Sequence, residues 1–129
     1  MANILILDDS KDLLNMIKNI FQLHNYDVRT ATTKSSLLAH LEIFKPDIIL
    51  MDVLLDGENG RDICKELKEN TDTKNVAIIL LSGSHEQLRN YEECKADDIL
   101  EKPFEFEDVE KKIKYLLTKK PSAKQSVVI

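Results

Sequence analysis

The sequence predicts an α/β fold: a doubly wound (βα)5 domain around a five-stranded parallel sheet. Three observations carry that expectation. Short aliphatic runs alternate with amphipathic segments along most of the 129 residues. The aliphatic runs are nearly continuous rather than alternating with polar residues, which suits strands covered on both faces. Strand-like and helix-like segments also follow one another in strict turn, the order that βαβ units impose.

The elements follow in order. Ile4-Leu5-Ile6-Leu7 is the first buried run and ends in Asp8 and Asp9. Ser10 stands where an N-cap belongs, and Leu13, Leu14, Ile17, Ile20 and Phe21 then recur at helical spacing. Tyr26 to Ala31 alternates weakly and reads as a second strand. Leu37, Leu38, Leu41 and Phe44 mark a second helix, which stops at Lys45-Pro46. Asp47 to Asp52, carrying Ile48-Ile49-Leu50-Met51, is a third strand that also ends in an acid. Asp56-Gly57 and Asn59-Gly60 punctuate a loop. Either dipeptide alone suggests a hairpin turn, but Ile63, Cys64 and Leu67 follow at helical spacing. Val76 to Leu81 is a fourth strand, ending at Ser82-Gly83-Ser84. A fourth helix is expected from about Glu86 to Glu93, with only Leu88 and Tyr91 as clear apolar anchors. Asp98 to Glu101 is a brief fifth strand closed by Lys102-Pro103, and Phe106, Val109, Ile113, Leu116 and Leu117 line one face of a last helix. The domain is expected over residues 1–118, with 119–129 as a tail or truncated linker.

Composition narrows the function. A length of 129 residues suits one domain, and 43% hydrophobic residues suffice for a proper core, which excludes wholesale disorder. Eighteen Lys and Arg against 23 Asp and Glu give a net charge of -5, so no nucleic-acid partner is expected. Cys64 and Cys94 have neither the spacing of a metal knuckle nor the number of a disulfide framework, and read as small buried hydrophobes in a reducing compartment. No apolar stretch has the length of a membrane span, and the N-terminus lacks a secretory pattern. A soluble cytoplasmic protein without a membrane partner is expected.

The polar residues at the strand ends carry the chemistry. In a doubly wound sheet ligands bind outside the carboxyl ends of the strands, where the strand order reverses. Asp8, Asp9, Asp52, Ser82 and Lys102 all stand at such ends. Singly each has an ordinary explanation: Asp8-Asp9 as cap and loop acids, Asp52 and Ser82-Gly83 as turn residues, Lys102 as a solvated surface lysine. Together at the ends of separate buried strands they point to a site. Three carboxylates in one crevice repel one another unless a cation joins them. An all-oxygen donor set without Cys or His favours Mg²⁺, which commonly shares its octahedron with a phosphate oxygen. Lys102 and Ser82 supply the positive charge and hydroxyl donor that phosphoryl oxygens need. One of the three acids could itself attack phosphorus, giving an aspartyl phosphate.

This constellation, Asp8-Asp9, Asp52, Ser82 and Lys102-Pro103, resembles the receiver domain of two-component response regulators, also called CheY-like, over nearly the whole chain. The resemblance implies a flavodoxin-like strand order of 2-1-3-4-5. It implies that Asp52 accepts a phosphoryl group from a phosphohistidine on a sensor histidine kinase or histidine phosphotransfer protein. Asp9 would bind Mg²⁺ directly, Asp8 mainly through a metal-bound water, and Asp52 and the main-chain carbonyl of Leu54 would complete the protein ligands. Lys102 would pair with Asp52 and then with the phosphoryl group, Ser82 would swing its hydroxyl toward it, and the Lys102-Pro103 bond would be cis. A downstream protein would read the change on the face of the fourth helix, fifth strand and fifth helix. Such a domain transfers phosphate to itself and is not a conventional enzyme.

Four positions depart from the family pattern. Asp56 stands where proline is usual, Gly83 where alanine is, Lys95 where glycine is common, and Ile99 takes the place of the switch aromatic that moves with Ser82. Two rival readings stay open: a receiver-like interaction module acting without phosphate, and, more remotely, a small Mg²⁺-dependent phosphohydrolase with an Asp nucleophile. His24, His40 and His85 lie scattered on or near helices and offer no phosphohistidine. Phe104 and Phe106 read as core anchors of the last helix.

Overall fold

The computed structural model of the protein describes residues 2–119. Its strands are β1 (Asn3–Leu7), β2 (Asp27–Ala31), β3 (Ile48–Asp52), β4 (Ala77–Ser82) and β5 (Asp98–Glu101). Between and after them come α1 (Lys11–Leu23), α2 (Lys34–Ile43), α3 (Gly60–Glu69), the four-residue α4 (His85–Leu88) and α5 (Phe106–Lys119). The five strands form one parallel sheet in the order β2-β1-β3-β4-β5, as the resemblance implied. The boundary expected at 118 falls within one residue of the end of α5, and the remainder of the expected tail, 120–129, lies outside the described residues.

The aliphatic runs are strands because both faces of the sheet are covered. Ile4, Ile6, Ile48, Leu50 and Ile79 point to one face, where they meet Leu14, Ile17 and Phe21 of α1 and Val109 and Ile113 of α5. Leu5, Leu7, Ile49, Met51, Ile78 and Leu80 point to the other, against Leu37 of α2 and Ile63 and Leu67 of α3. With a side-chain period of two, neighbours along a strand serve opposite cores. Burying each such side chain contributes about 1.5–3 kcal/mol. The helices start where side chains accept otherwise unpaired amides: Ser10 Oγ from Leu13 at 3.2 Å, Thr33 Oγ1 from Ser36 at 3.1 Å, and Asn59 Oδ1 from Arg61 at 2.8 Å. Because α1 and α3 lie on opposite faces, the loops after β1 and β3 diverge and open a crevice between them.

Two local expectations needed correction. The loop at 56–60 contains a hairpin after all: Leu54–Leu55 pairs antiparallel with Glu58–Asn59 around Asp56-Gly57, and Gly57 takes the left-handed φ of +73° that the turn requires. Helix α3 then starts directly from the second strand of the hairpin, so turn and helix signals were both correct. The helix expected over Glu86 to Glu93 is broken instead. After Leu88 the chain leaves helical geometry, passes through Asn90 in the left-handed region (φ 54°), and resumes as a 3-10 turn over Tyr91–Cys94. Arg61 of α3 donates to the carbonyls of Gln87, Arg89 and Asn90 at 3.1, 2.6 and 2.9 Å, so a distant guanidinium satisfies backbone groups that sequence periodicity assigned to a helix.

The edge of the sheet opposite the crevice is pinned by one ion pair. Lys68 Nζ donates to Asp97 Oδ2 at 2.7 Å and to the Val76 carbonyl at 2.7 Å, and the same carboxylate oxygen accepts the Ile78 amide at 2.8 Å. The Lys68 side chain is only 9% exposed, so it depends on that partner. Asp97→Ala is expected to lower the unfolding free energy by about 2 kcal/mol in urea titrations, with Lys68→Met in the same background recovering part of the loss. Lys95 has φ +64°, which explains why glycine suits this position. Lys95→Gly is expected to raise the unfolding free energy by about 0.5 kcal/mol in the same assay, the relief of strain slightly exceeding the entropy that glycine loses.

Candidate functional site

Each site residue is delivered by the strand that precedes it. Asp8 follows β1, its amide donates to the Ala31 carbonyl at 3.1 Å, and its Oδ1 accepts from the Ser10 amide at 2.9 Å. It is 1% exposed, so the outer sheet and the start of α1 enclose it. Asp52 ends β3, is 7% exposed, and accepts the Leu54 amide on Oδ1 at 3.2 Å. The Lys102 amide is tied to the Ser82 carbonyl at 2.8 Å, and the Lys102-Pro103 bond is cis, as the resemblance implied.

These backbones bring one ammonium between two buried acids. Lys102 Nζ donates to Asp8 Oδ2 at 2.8 Å and to Asp52 Oδ2 at 3.0 Å. The lysine was expected to pair with Asp52, and the structure adds Asp8 as an equal partner. Asp9 is exposed, yet its carboxylate joins the others: oxygens of Asp8, Asp9 and Asp52 all lie within 4.8 Å of one another. Asp52 is held above its ordinary pKa, chiefly by burial and further by the Asp8 charge, against the hydrogen bond and charge of Lys102. Burial opposes the charge of Lys102, but its hydrogen bonds to Asp8 and Asp52 outweigh that and raise its pKa. The ammonium is therefore fixed in its charged form.

One lysine does not neutralise three carboxylates. The residual negative charge, the all-oxygen donor set and the exposure of Asp9 at the mouth fit a hard divalent cation of the Mg²⁺ kind. Ser82 is 1% exposed at the end of β4, and its Oγ accepts the Ser84 amide at 3.0 Å, so the hydroxyl is engaged at the entrance to α4. Leu54 is 53% exposed and presents its main chain in the small hairpin. Ile99 lies on β5 opposite Leu80, half-buried against the core that α2 and α3 cover.

The departures from the pattern now have positions. Asp56 is exposed at the hairpin turn and is not among the grouped carboxylates. A Cβ on Gly83 would meet nothing within 4 Å, so no steric reason excludes alanine there. His85 is exposed, with Nδ1 3.9 Å from Glu101 Oε1. Sequence reasoning missed two residues next to the site. Gly60 donates its amide to the Val53 carbonyl at 2.8 Å, and a Cβ there would overlap the main-chain carbonyl of Asp52. Only glycine lets α3 begin so close to the acid. The other is Arg61. The Asn59-Gly60 dipeptide directly ahead of a helical run was the available signal for the first, and the second had none.

Comparison with known proteins agrees with this geometry. A family model described as the response regulator receiver domain matches residues 4–114. The alkaline phosphatase synthesis transcriptional regulatory protein PhoP of Bacillus subtilis (strain 168) is 30% identical over 125 residues, covering 95% of this chain and 51% of that protein. The chain spans about half the length, or less, of the curated relatives first matched. Among solved structures, the signal receiver domain of a signal transduction histidine kinase from Syntrophus aciditrophicus superposes with a TM-score of 0.83 at 26% identity, covering 100% of this chain and 98% of that one. The response regulator TrrA of Thermotoga maritima, solved in complex with Mg(2+)-BeF, gives a TM-score of 0.79 at 25% identity, covering 90% of this chain and 99% of that one. The matched span takes in every strand of the sheet and all three acids of the crevice, so this chain belongs to the response regulator receiver domains, the phosphorylation-controlled switches of two-component signalling.

Proposed function

We propose that Asp52 is the phosphoacceptor of this switch, taking a phosphoryl group from a phosphohistidine on a sensor histidine kinase or a histidine phosphotransfer protein. The observation that carries the reading is the Lys102 ammonium shared by Asp8 and Asp52 at 2.8 and 3.0 Å, beside a third carboxylate. In the transfer, an oxygen of the Asp52 carboxylate forms a bond to phosphorus as the phosphorus–nitrogen bond breaks, and the electron pair leaves with the imidazole. The Leu54 amide and Lys102 orient the carboxylate from two sides. Asp9, Asp52 and the main-chain carbonyl of Leu54 would hold Mg²⁺, with Asp8 acting through a water. Bound there, the ion would neutralise the phosphoryl oxygens and the crowded acids.

Lys102 keeps its bond to Asp8 while its other hydrogens turn to the phosphoryl oxygens. Ser82 would rotate its hydroxyl away from the Ser84 amide to donate to the same group, which frees the start of α4. Ile99 stands at the switch position of β5 and offers apolar bulk alone. The changed surface of α4, β5 and α5 would then meet a downstream protein. An acidic chain is a poor match for a nucleic-acid backbone, so the partner proposed for this domain is a protein. Two free, buried thiols and an acidic composition suit the cytoplasm, and no helix among the described residues is long and apolar enough to cross a membrane.

Incubation with acetyl phosphate and Mg²⁺ is expected to add one phosphoryl group by intact mass. The gain should vanish in Asp52→Asn and on chelating the metal; an unlabelled wild type, where a control receiver is labelled, sinks the assignment. Removing one of three crowded carboxylates should also relieve their repulsion. Asp52→Asn is thus expected to melt higher than wild type in metal-free buffer. Mg²⁺ should raise the wild-type midpoint, approaching about 2.7 kcal/mol of stabilisation at a hundredfold excess over Kd, and raise the variant far less.

A further inference from the structure

The segment between β4 and β5 is where sequence and structure disagree most, and the Arg61 side chain is bonded to it at the break. A continuous helix over 85–94 would pair the Gln87 carbonyl with the Tyr91 amide, the Arg89 carbonyl with Glu93, and the Asn90 carbonyl with Cys94. The guanidinium of Arg61 donates to these same three oxygens at 3.1, 2.6 and 2.9 Å, and the Asn90 carbonyl also accepts the Glu93 amide of the 3-10 turn at 3.0 Å. The planar fork of five fixed donors suits it to hold several carbonyls at once. The chain breaks accordingly: Arg89 is extended at φ -66°, ψ 144°, and Asn90 is left-handed at φ 54°, ψ 36°. Cys64, also of α3, donates its thiol to the Cys94 carbonyl at 3.4 Å, so the 3-10 turn leans on α3 as well.

We propose that Arg61 is the positioning residue that holds 85–94 in its broken form, and that the continuous helix is the competing state reached when Arg61 lets go. The inference deepens the phosphoacceptor reading and rests on it for its link to the signal. That link has two ends. Arg61 follows Gly60, whose amide is bonded to the Val53 carbonyl beside Asp52. The other end of the segment hangs on Ser82 Oγ through the Ser84 amide. Movement of the Ser82 hydroxyl to a phosphoryl group removes that tether and leaves Arg61 as the main restraint. By linkage, a residue that favours the broken form weakens binding of a phosphoryl mimic, and its loss strengthens it.

The test compares wild type, Arg61→Gln, Arg61→Lys and Asn90→Ala by carbon chemical shifts at residues 89–91 and by titration with beryllofluoride and Mg²⁺. Asn90→Ala disfavours the left-handed residue without touching the guanidinium, so it stands even if Arg61→Gln proves unstable. Expected are helical shifts at residues 89 and 90 in both Arg61→Gln and Asn90→Ala, with half-saturation at about fivefold lower beryllofluoride. Arg61→Lys, one point charge in place of a fork, should fall between. A helix break that persists in both variants, or an unchanged beryllofluoride midpoint, overturns the inference; a fall in melting temperature alone, as from lost packing, would leave that midpoint unmoved. Should the wild type bind no beryllofluoride and gain no phosphoryl group, the phosphoacceptor reading fails, while the shifts without ligand still decide what Arg61 holds.

Discussion

The contact on which the rest of this protein depends is the Lys102 ammonium between the carboxylates of Asp8 and Asp52. Three acids at the carboxyl ends of β1 and β3 are forced together by a parallel sheet in which those strands are neighbours. Such an arrangement is costly in isolation, because burial and mutual repulsion both penalise the charges. A single lysine, brought in from β5 across the width of β3 and β4, relieves only part of that cost. The incomplete relief is the functional point. A fully neutralised cluster would be a structural ion pair; one left negative and open on the Asp9 side has the charge and donor set that fit a hard divalent cation.

The sheet makes this possible by separating stability from chemistry. Its interior consists of aliphatic side chains with almost no exposure, serving one core on each face. Polar side chains are excluded from the middle of β1, β3 and β4 and accumulate where those strands end. At one edge Lys68 and Asp97 close the structure with a tight ion pair and shared backbone bonds. At the other edge the same kinds of residue remain incompletely paired. The fold thus has a sealed rim and an acidic rim, joined by strands of four to six residues.

The chain order of the elements and the members of the crevice were legible in the sequence because they depend on local periodicity. Ile4 to Leu7 and Ile48 to Met51 are unambiguous as buried runs, and the acids that follow them mark the site without any knowledge of distance. What stayed hidden depends on contacts between remote residues. The sharing of Lys102 with Asp8, 94 positions away, is not encoded in any spacing. The break in the fourth helix was hidden because the Arg61 bonds to its carbonyls come from α3, outside 86–93, although Asn90 is a residue type that enters the left-handed region readily. The hairpin at 54–59 was concealed differently: its turn signal was visible, but the helical pattern directly after it competed for the same residues. Lys95 is intelligible only once its left-handed backbone is seen.

The two cysteines behave as the small hydrophobes their number suggested, yet their location has a consequence. Cys64 belongs to α3 and Cys94 to the 3-10 turn, and the pair forms part of the seam between them. Cys64 has no exposed surface, and burial above all, with Cys94 beside it, pushes its thiol well above the ordinary range. An electrophile therefore meets neither an accessible sulfur nor a thiolate while the seam is shut. The rate at which a thiol reagent modifies Cys64 becomes a clock for how often that seam parts, so the molecule carries its own probe of breathing between α3 and the 3-10 turn.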